Sequence, residues 1–370
     1  MRYQRIVAKL GTNLLTAGSD RLNLEIMASL VGQIAKLHKA GLAVVVVSSG
    51  AIAAGRHRLS IKKDQKDIPF KQVLAAVGQS RLMDAYEQLF GWHEITIAQA
   101  LLTRADLSDR LRYLNARNTL MALLELRVIP IVNENDVVAV DEIRETVFGD
   151  NDNLSAMVAN LADADLLLLL TDTGGLYTAD PHRNPNAKLI ERVDRLDASI
   201  ERLAGASHSV LGTGGMVTKI EAAKLATASG IAVVIASGRE PDIIVRLANG
   251  EAIGTYFQPV SSKLESRKRW LLSQTSRGKL FIDAGAAVAL REQHKSLLPA
   301  GINEVRGEFE RGDIVDILES ETGERIACGI SNYGSSDISS IKGAHSDRIS
   351  QLLGREYGSE VVHRDNLVIL

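Results

Sequence analysis

At 370 residues with a formal net charge of −2, the chain exceeds one comfortable domain and carries no global bias towards nucleic acid or an anionic membrane. Aromatic residues make up 4% against 45% apolar, so the core has to be built mainly from Leu, Ile, Val and Ala. A single cysteine, Cys328, excludes an intrachain disulfide framework and a multi-cysteine zinc site, and no apolar run nears the ~20 residues that span a bilayer.

The amino terminus, MRYQRIVAKLG, reads as a strand rather than a signal peptide, which points to a soluble cytoplasmic protein. RIVAKLG (5–11) is the first of six short apolar runs, and it ends in Lys9-Leu10-Gly11-Thr12-Asn13. Met27, Leu30, Val31, Ile34 and Leu37 then recur at helical spacing, the mark of an amphipathic crossover helix. The second run, LAVVVVSSG (42–50), delivers Ser48-Ser49-Gly50-Ala51, where small side chains leave backbone N–H groups at a helix start free to face an anion. ITIAQALL (95–102) follows, then VIPIVNEND (128–136), ending in Asn133-Glu134-Asn135-Asp136. A second Asn/Asp cluster, Gly149 to Asn153, lies a dozen residues on. DLLLLLTD (165–172) ends in Thr171-Asp172-Thr173-Gly174-Gly175. The stretch from Gly212 to Lys219, GTGGMVTK, is a glycine-rich loop opening the helix IEAAKLATA, and IAVVIASG (231–238) closes the series. Runs apolar on both faces belong to parallel strands covered by helices on both sides, so a three-layer α/β/α sandwich is expected over 1–258.

After Gln258 a polar, basic stretch fits a linker over 259–275. Short strands with Gly and Asp turns fill 276–370 (KLFIDAGAAVAL, SLLPAGI, RGEFERGDIVDIL, ERIACGISNY), as in a small β-barrel with one or two helices.

Ligands of an open parallel sheet gather beyond the carboxyl ends of its strands. Taken singly, a strand-end lysine is a solvated charge, a Gly-rich turn a packing device, and an Asn/Asp cluster a cap. Here two lysines, the phosphate-type loops and both acidic clusters fall on one edge of the expected sheet. That convergence reads as a phosphoryl-transfer site. The loop is not a Walker A sequence, whose spacing occurs nowhere in the chain.

The ordered set K-L-G-T, S-S-G-A-I-A-A-G, L-L-T-R-A-D, N-E-N-D, G-D-N-D-N-L-S-A, L-L-T-D-x-x-G-L-Y-T-A-D-P and G-T-G-G-M-x-T-K resembles the amino acid kinase family, in the branch that phosphorylates the side-chain carboxylate of L-glutamate. The last hundred residues resemble a PUA domain. The resemblance runs from Val7 to about His363. It implies MgATP-dependent formation of L-glutamyl 5-phosphate, the first step towards proline. It makes Lys9, Lys219 and Asp152 catalytic: the lysines flank the phosphates in a solvent-facing cleft, and Asp152 orients them and stands near a magnesium ion held mainly by the ATP phosphates. It assigns the acceptor to Ser49, Asn133, Asp136 (on the α-ammonium) and Asn151. It assigns ATP to Lys9, Gly11, Thr171, Asp172, Thr213, Gly214, Gly215, Met216, Val217, Thr218 and Lys219. Segment 142–149, longer than the family form, is assigned to a substrate loop. A homo-oligomer (dimer or tetramer) and feedback inhibition by proline are implied as well.

The acceptor carboxylate is already ionised at neutral pH, with a reference pKa near ~4.3, so no general base is required. This agrees with the absence of any Ser-His-Asp or Cys-His pattern. Two alternatives stay open at this point: an RNA-binding protein with a kinase-like body, because PUA domains bind structured RNA, and an amino acid kinase with a different acceptor. The tail mixes acidic with basic residues and has no aromatic-interleaved basic stripe, which disfavours the first.

Overall fold

The computed structural model describes residues 3–61, 67–139, 151–181, 183–205, 215–260, 262, 271 and 275–370. The chain divides into two compact units, Met1–Lys263 and Leu264–Leu370, and the division falls inside the stretch expected to be a linker.

In the first unit, β1 (Arg5–Leu10), α1 (Thr12–Thr16), α2 (Leu24–Lys39), β2 (Ala43–Ser48), α3 (Ala51–Arg58) and α4 (Ile68–Gly91) come first. They are followed by β3 (Ile97–Leu102), α5 (Arg104–Ser108), α6 (Arg110–Glu125), β4 (Ile129–Glu134), α7 (Asn151–Leu161) and β5 (Leu166–Thr171). The unit closes with β6 (Arg192–Val193), α8 (Ala198–Gly205), α9 (Met216–Ala228), β7 (Ala232–Ser237), α10 (Ile243–Ala248) and β8 (Thr255–Phe257). Eight strands form one sheet in the order β3-β4-β2-β1-β5-β7-β8-β6. All neighbours from β3 to β7 run parallel; β8 is antiparallel to β7.

The sheet's two faces follow the alternation of side chains along each strand. Ile6, Leu10, Val44, Val46, Leu166, Leu168 and Leu170 pack with α2, α4 and α10. Val7, Val45, Val47, Leu167, Leu169, Val233 and Ile235 pack with α6, α7 and α9. The expected α/β/α sandwich is therefore present. Parity also places Lys9, two residues after Val7 on β1, on the face covered by α7 and α9. The chain leaves β1 for β2 on one side and returns to β5 on the other, so the crevice at the carboxyl end of β1 is a topological switch point.

Helices α3 and α4 cross at glycines. A Cβ on Gly78 would stand 1.7 Å from the Ala51 carbonyl oxygen, and one on Gly55 would stand 1.9 Å from that of Leu74. Only glycine permits this approach, and it brings the middle of α4 up to the ends of β2 and β4.

The second unit contains β9 (Gly278–Ile282), α11 (Ala284–Arg291), β10 (Ile302–Arg306), β11 (Ile314–Glu319), β12 (Arg325–Ile330), α12 (Ser335–Ile341), α13 (Ile349–Leu353) and β13 (Leu367–Ile369). Its strands form a five-stranded sheet, β10-β9-β11-β12-β13, in which only β9 and β11 pair in parallel. Leu280, Ile282, Val315, Ile317, Ile326 and Ile338 are among its own core residues. Cys328 is buried within β12.

Gly78→Ala should destabilise the first unit by at least about 2 kcal/mol, because the added methyl meets backbone that cannot move without parting the two helices. Urea unfolding followed by circular dichroism measures this; an unchanged midpoint would mean the crossing is not tight.

Candidate active site

Lys9 sits on the central strand, between Val47 of β2 and Leu169 of β5. A lysine there would be an uncompensated charge in an apolar layer unless an anion met it. Asp152 does so. It lies in the first turn of α7, and its Oδ1 is 2.6 Å from Lys9 Nζ while its Oδ2 is 3.2 Å from Lys219 Nζ. Thr218 Oγ1 donates to the same Oδ2 at 2.8 Å. Lys219 and Thr218 both stand in the first turn of α9, where the helix begins at Gly215.

All four side chains are buried; Asp152 is 1% exposed and each lysine 6%. The sequence expectation of lysines in a solvent-facing cleft is corrected here: their ammonium groups are drawn inward onto the buried Asp152 carboxylate. Burial by itself would raise the Asp152 pKa. The charges of Lys9 and Lys219, with hydrogen bonds from Lys9 and Thr218, outweigh it and hold the group at about 2, below an ordinary 3.8.

The residue before Asp152 builds a second cluster. Asn151 Nδ2 reaches Ser49 Oγ at 2.9 Å, Asn133 Oδ1 at 3.1 Å and the Ser48 carbonyl at 3.3 Å. Asn133 Nδ2 in turn donates to Gln79 Oε1 on α4 at 2.8 Å. Ser49 lies directly before Gly50, whose φ of 102° is the left-handed conformation that turns β2 into α3. Ser48 Oγ bonds the Tyr86 hydroxyl at 2.8 Å and so anchors the same turn from the opposite face. The acceptor residues expected from sequence, Ser49, Asn133 and Asn151, thus form one hydrogen-bonded group contiguous with the lysine–aspartate cluster. Asp136 stands half-buried in the turn just after β4.

On the other side of β1, Thr171 closes β5, and its hydroxyl donates to Asp172 Oδ1 at 3.0 Å. Asn13 Nδ2 reaches Asp172 Oδ2 at 3.4 Å, tying the start of α1 to this strand end. The Gly11 N–H donates to the Leu170 carbonyl at 3.3 Å, and a Cβ on Gly11 would stand 3.6 Å from Lys9 Nζ. Gly215 has φ −70°, and among the described residues nothing stands within 4 Å of where its Cβ would be. Its own backbone φ therefore does not demand glycine. Met216 is half-buried and Val217 exposed beside it. Thr213, Gly214 and segment 142–149 lie outside the described residues.

Gln79 is the participant that sequence reading missed. It sits in mid-helix with no strand end or turn to flag it; the one local signal is the glycine before it, which marks a close helix crossing.

A buried carboxylate holding two ammonium groups, set among the starts of α3, α7 and α9 at a sheet switch point, is the arrangement of a phosphotransferase. Residues 4–237 match the model of the amino acid kinase family, and residues 278–353 that of the PUA domain. The chain belongs to the amino acid kinase family. Among its relatives, the glutamate 5-kinase of Dehalococcoides mccartyi (strain CBDB1) is 58% identical over 369 residues, covering 100% of this chain and 99% of that protein. The glutamate 5-kinase of Herpetosiphon aurantiacus is 53% identical, covering 99% of this chain and 98% of its own length. That of Pasteurella multocida is 52% identical at the same coverage, 99% and 98%.

Because the folded pKa of Asp152 lies below its unfolded value, the carboxylate's stabilisation is fully present above pH ~4 and is lost as the pH falls through about 2. A shift of this size corresponds to about 2–3 kcal/mol. Asp152→Asn should remove that part of the acid limb and destabilise the protein at pH 7, since two buried ammonium groups then face a neutral amide. Unfolding midpoints of both proteins across pH 2–7 measure it. Parallel curves would show that the ion cluster does not couple to folding.

Proposed function

We propose that the chain transfers the γ-phosphoryl group of ATP to the side-chain carboxylate of L-glutamate, giving L-glutamyl 5-phosphate, the first step of proline biosynthesis. The observation that carries this reading is the buried clamp of Lys9 and Lys219 on Asp152. Full-length similarity to glutamate 5-kinases supports the choice of acceptor.

The chemical problem is repulsion. A carboxylate, ionised without help at neutral pH, has to approach a triphosphate carrying several negative charges. Lys9 and Lys219 answer it from opposite sides of Asp152, which fixes two cations that would otherwise drive each other apart. Pre-set charge of this kind stabilises the transferring group without reorganisation during the reaction. Gly11 and the glycine-rich start of α9 allow the phosphates close to the backbone, with Met216, Val217 and Thr218 beside them. Thr171 and Asp172 line the nucleotide side. Thr213 and Gly214 belong to the same loop by their place in the sequence.

Magnesium is part of this reading. Asp152 has its oxygens engaged by ammonium groups, and no group of three His, Cys, Asp or Glu converges among the described residues. The ion would therefore take its oxygens mainly from phosphate and water, with Asp152 nearby. Its contribution is to neutralise developing phosphate charge.

On the acceptor side Asp136 meets the α-ammonium, while Ser49, Asn133 and Asn151 hold the chain of the substrate. Full-length similarity to glutamate 5-kinases also favours the kinase over the RNA-binding reading. Homo-oligomerisation, inhibition by proline and a cytoplasmic location follow from the family reading rather than from any contact within the chain.

Release of ADP from MgATP and L-glutamate, with hydroxylamine trapping the acyl phosphate as a hydroxamate, tests the reaction. L-aspartate, N-acetylglutamate and UMP serve as rival acceptors. Hydroxamate from glutamate alone is expected, and turnover only with a rival would overturn the reading. Lys9→Ala and Lys219→Ala should each lower kcat by about 100-fold or more. Both also leave Asp152 partly unpaired, so their unfolding midpoints have to be recorded beside the rates. Wild-type turnover in both would remove the mechanism. Asp136→Asn should raise the glutamate KM at least about tenfold with the ATP KM nearly unchanged; equal weakening of both ligands would make Asp136 a loop support.

A further inference from the structure

The acceptor cluster has a defined amide orientation, and it ends in an unused donor. The Ser48 carbonyl only accepts, so the Asn151 atom facing it is Nδ2. Asn133 then has to present Oδ1 to Asn151 and Nδ2 to Gln79, and Gln79 has to present Oε1 to Asn133. The network leaves over two buried atoms that meet no partner among the described residues: Asn151 Oδ1, an acceptor, and Gln79 Nε2, a donor. Buried polar atoms left unmatched are costly unless a ligand completes them.

The two atoms also lie in a fixed order. Asp152 and its lysines mark where the γ-carboxylate meets the phosphoryl group. From there the chain of contacts runs through Asn151 and Asn133 to Gln79, so Gln79 stands at the end remote from the chemistry. The helix that carries it is held to this place twice. Its glycine crossing with α3 fixes its depth, and Gln72, two turns earlier on the same face, donates through Nε2 to the Val137 carbonyl at 3.0 Å. α4 is thereby tied to the turn that holds Asp136.

Resting on the reading of the site as a glutamate-binding one, we propose that Gln79 is a specificity-determining residue. Its Nε2 donates to the α-carboxylate of the acceptor, beside an α-ammonium held by Asp136. An amine without an α-carboxylate leaves this donor unmatched, while a bare diacid leaves Asp136 without its ammonium. The site thus selects an α-amino acid at the end opposite to the phosphorylated one.

Gln79→Leu and Gln79→Glu test this together, assayed as hydroxamate formation with L-glutamate and ATP varied in turn. Leu removes the donor. Glu keeps an oxygen for Asn133 Nδ2 but sets a negative charge against the substrate carboxylate. The expected result is a glutamate KM raised about ten- to a hundredfold by Leu and further by Glu, with the ATP KM within twofold of wild type. A near-normal glutamate KM for Gln79→Glu beside an impaired Gln79→Leu would overturn the proposal, since Gln79 would then only orient Asn133. Normal values for both would overturn it as well, and so would parallel losses for glutamate and ATP. Absence of wild-type turnover with glutamate is a separate result, and strikes the proposed function rather than the role of Gln79.

Discussion

Asp152 is the constraint around which the first unit's chemistry is arranged. A carboxylate with 1% exposure has to find cations or lose its charge, and it finds two, from elements far apart in the chain. Lys9 comes from the central strand and Lys219 from the first turn of α9. Neither lysine would be tolerated at its depth without Asp152, and Asp152 would not stay ionised without them. The burial that makes the cluster costly also makes its field strong, because little water is present to screen it. One arrangement therefore serves folding and, in the proposed reaction, phosphoryl transfer.

The sheet supplies the rest by parity and topology. Lys9 shares a face with Val7, and that face is covered by α7 and α9, the helices that carry Asp152, Thr218 and Lys219. Had the lysine stood one residue earlier or later, it would have pointed at α2 and α4. The switch point beside β1 opens the crevice, and the strand ends Ser48-Ser49, Asn133 and Thr171 fall on its rim. Asn151 and Asp152, consecutive at the start of α7, divide the contacts: one joins the amide cluster with Ser49 and Asn133, the other the two lysines. The two clusters are thus held in register by a single peptide bond.

Much of this was legible beforehand. Two-faced apolar runs indicate buried parallel strands, and the family resemblance named Lys9, Ser49, Asn133, Asn151, Asp152 and Lys219, whose side chains the structure brings together. The expectation that failed was the exposure of the lysines. The resemblance named Asp152, 143 and 67 residues away, as the partner of the two lysines, but sequence alone does not show how deeply the three are buried together. Gln79 was missed for a related reason: in a helix of 24 residues its one local mark is the glycine before it, and that signals a helix crossing rather than a ligand.

The sequence by itself determined the class of fold and the edge of the sheet on which the candidate residues gather, because periodicity and strand-end chemistry are local properties; the residues themselves were named by the family resemblance. Only the tertiary structure decided the charge environment and the pairing of amides. Burial and hydrogen-bond direction are set by groups distant in the chain: the glycine crossing that seats Gln79 against Asn133, and the inward turn of two lysines onto one aspartate.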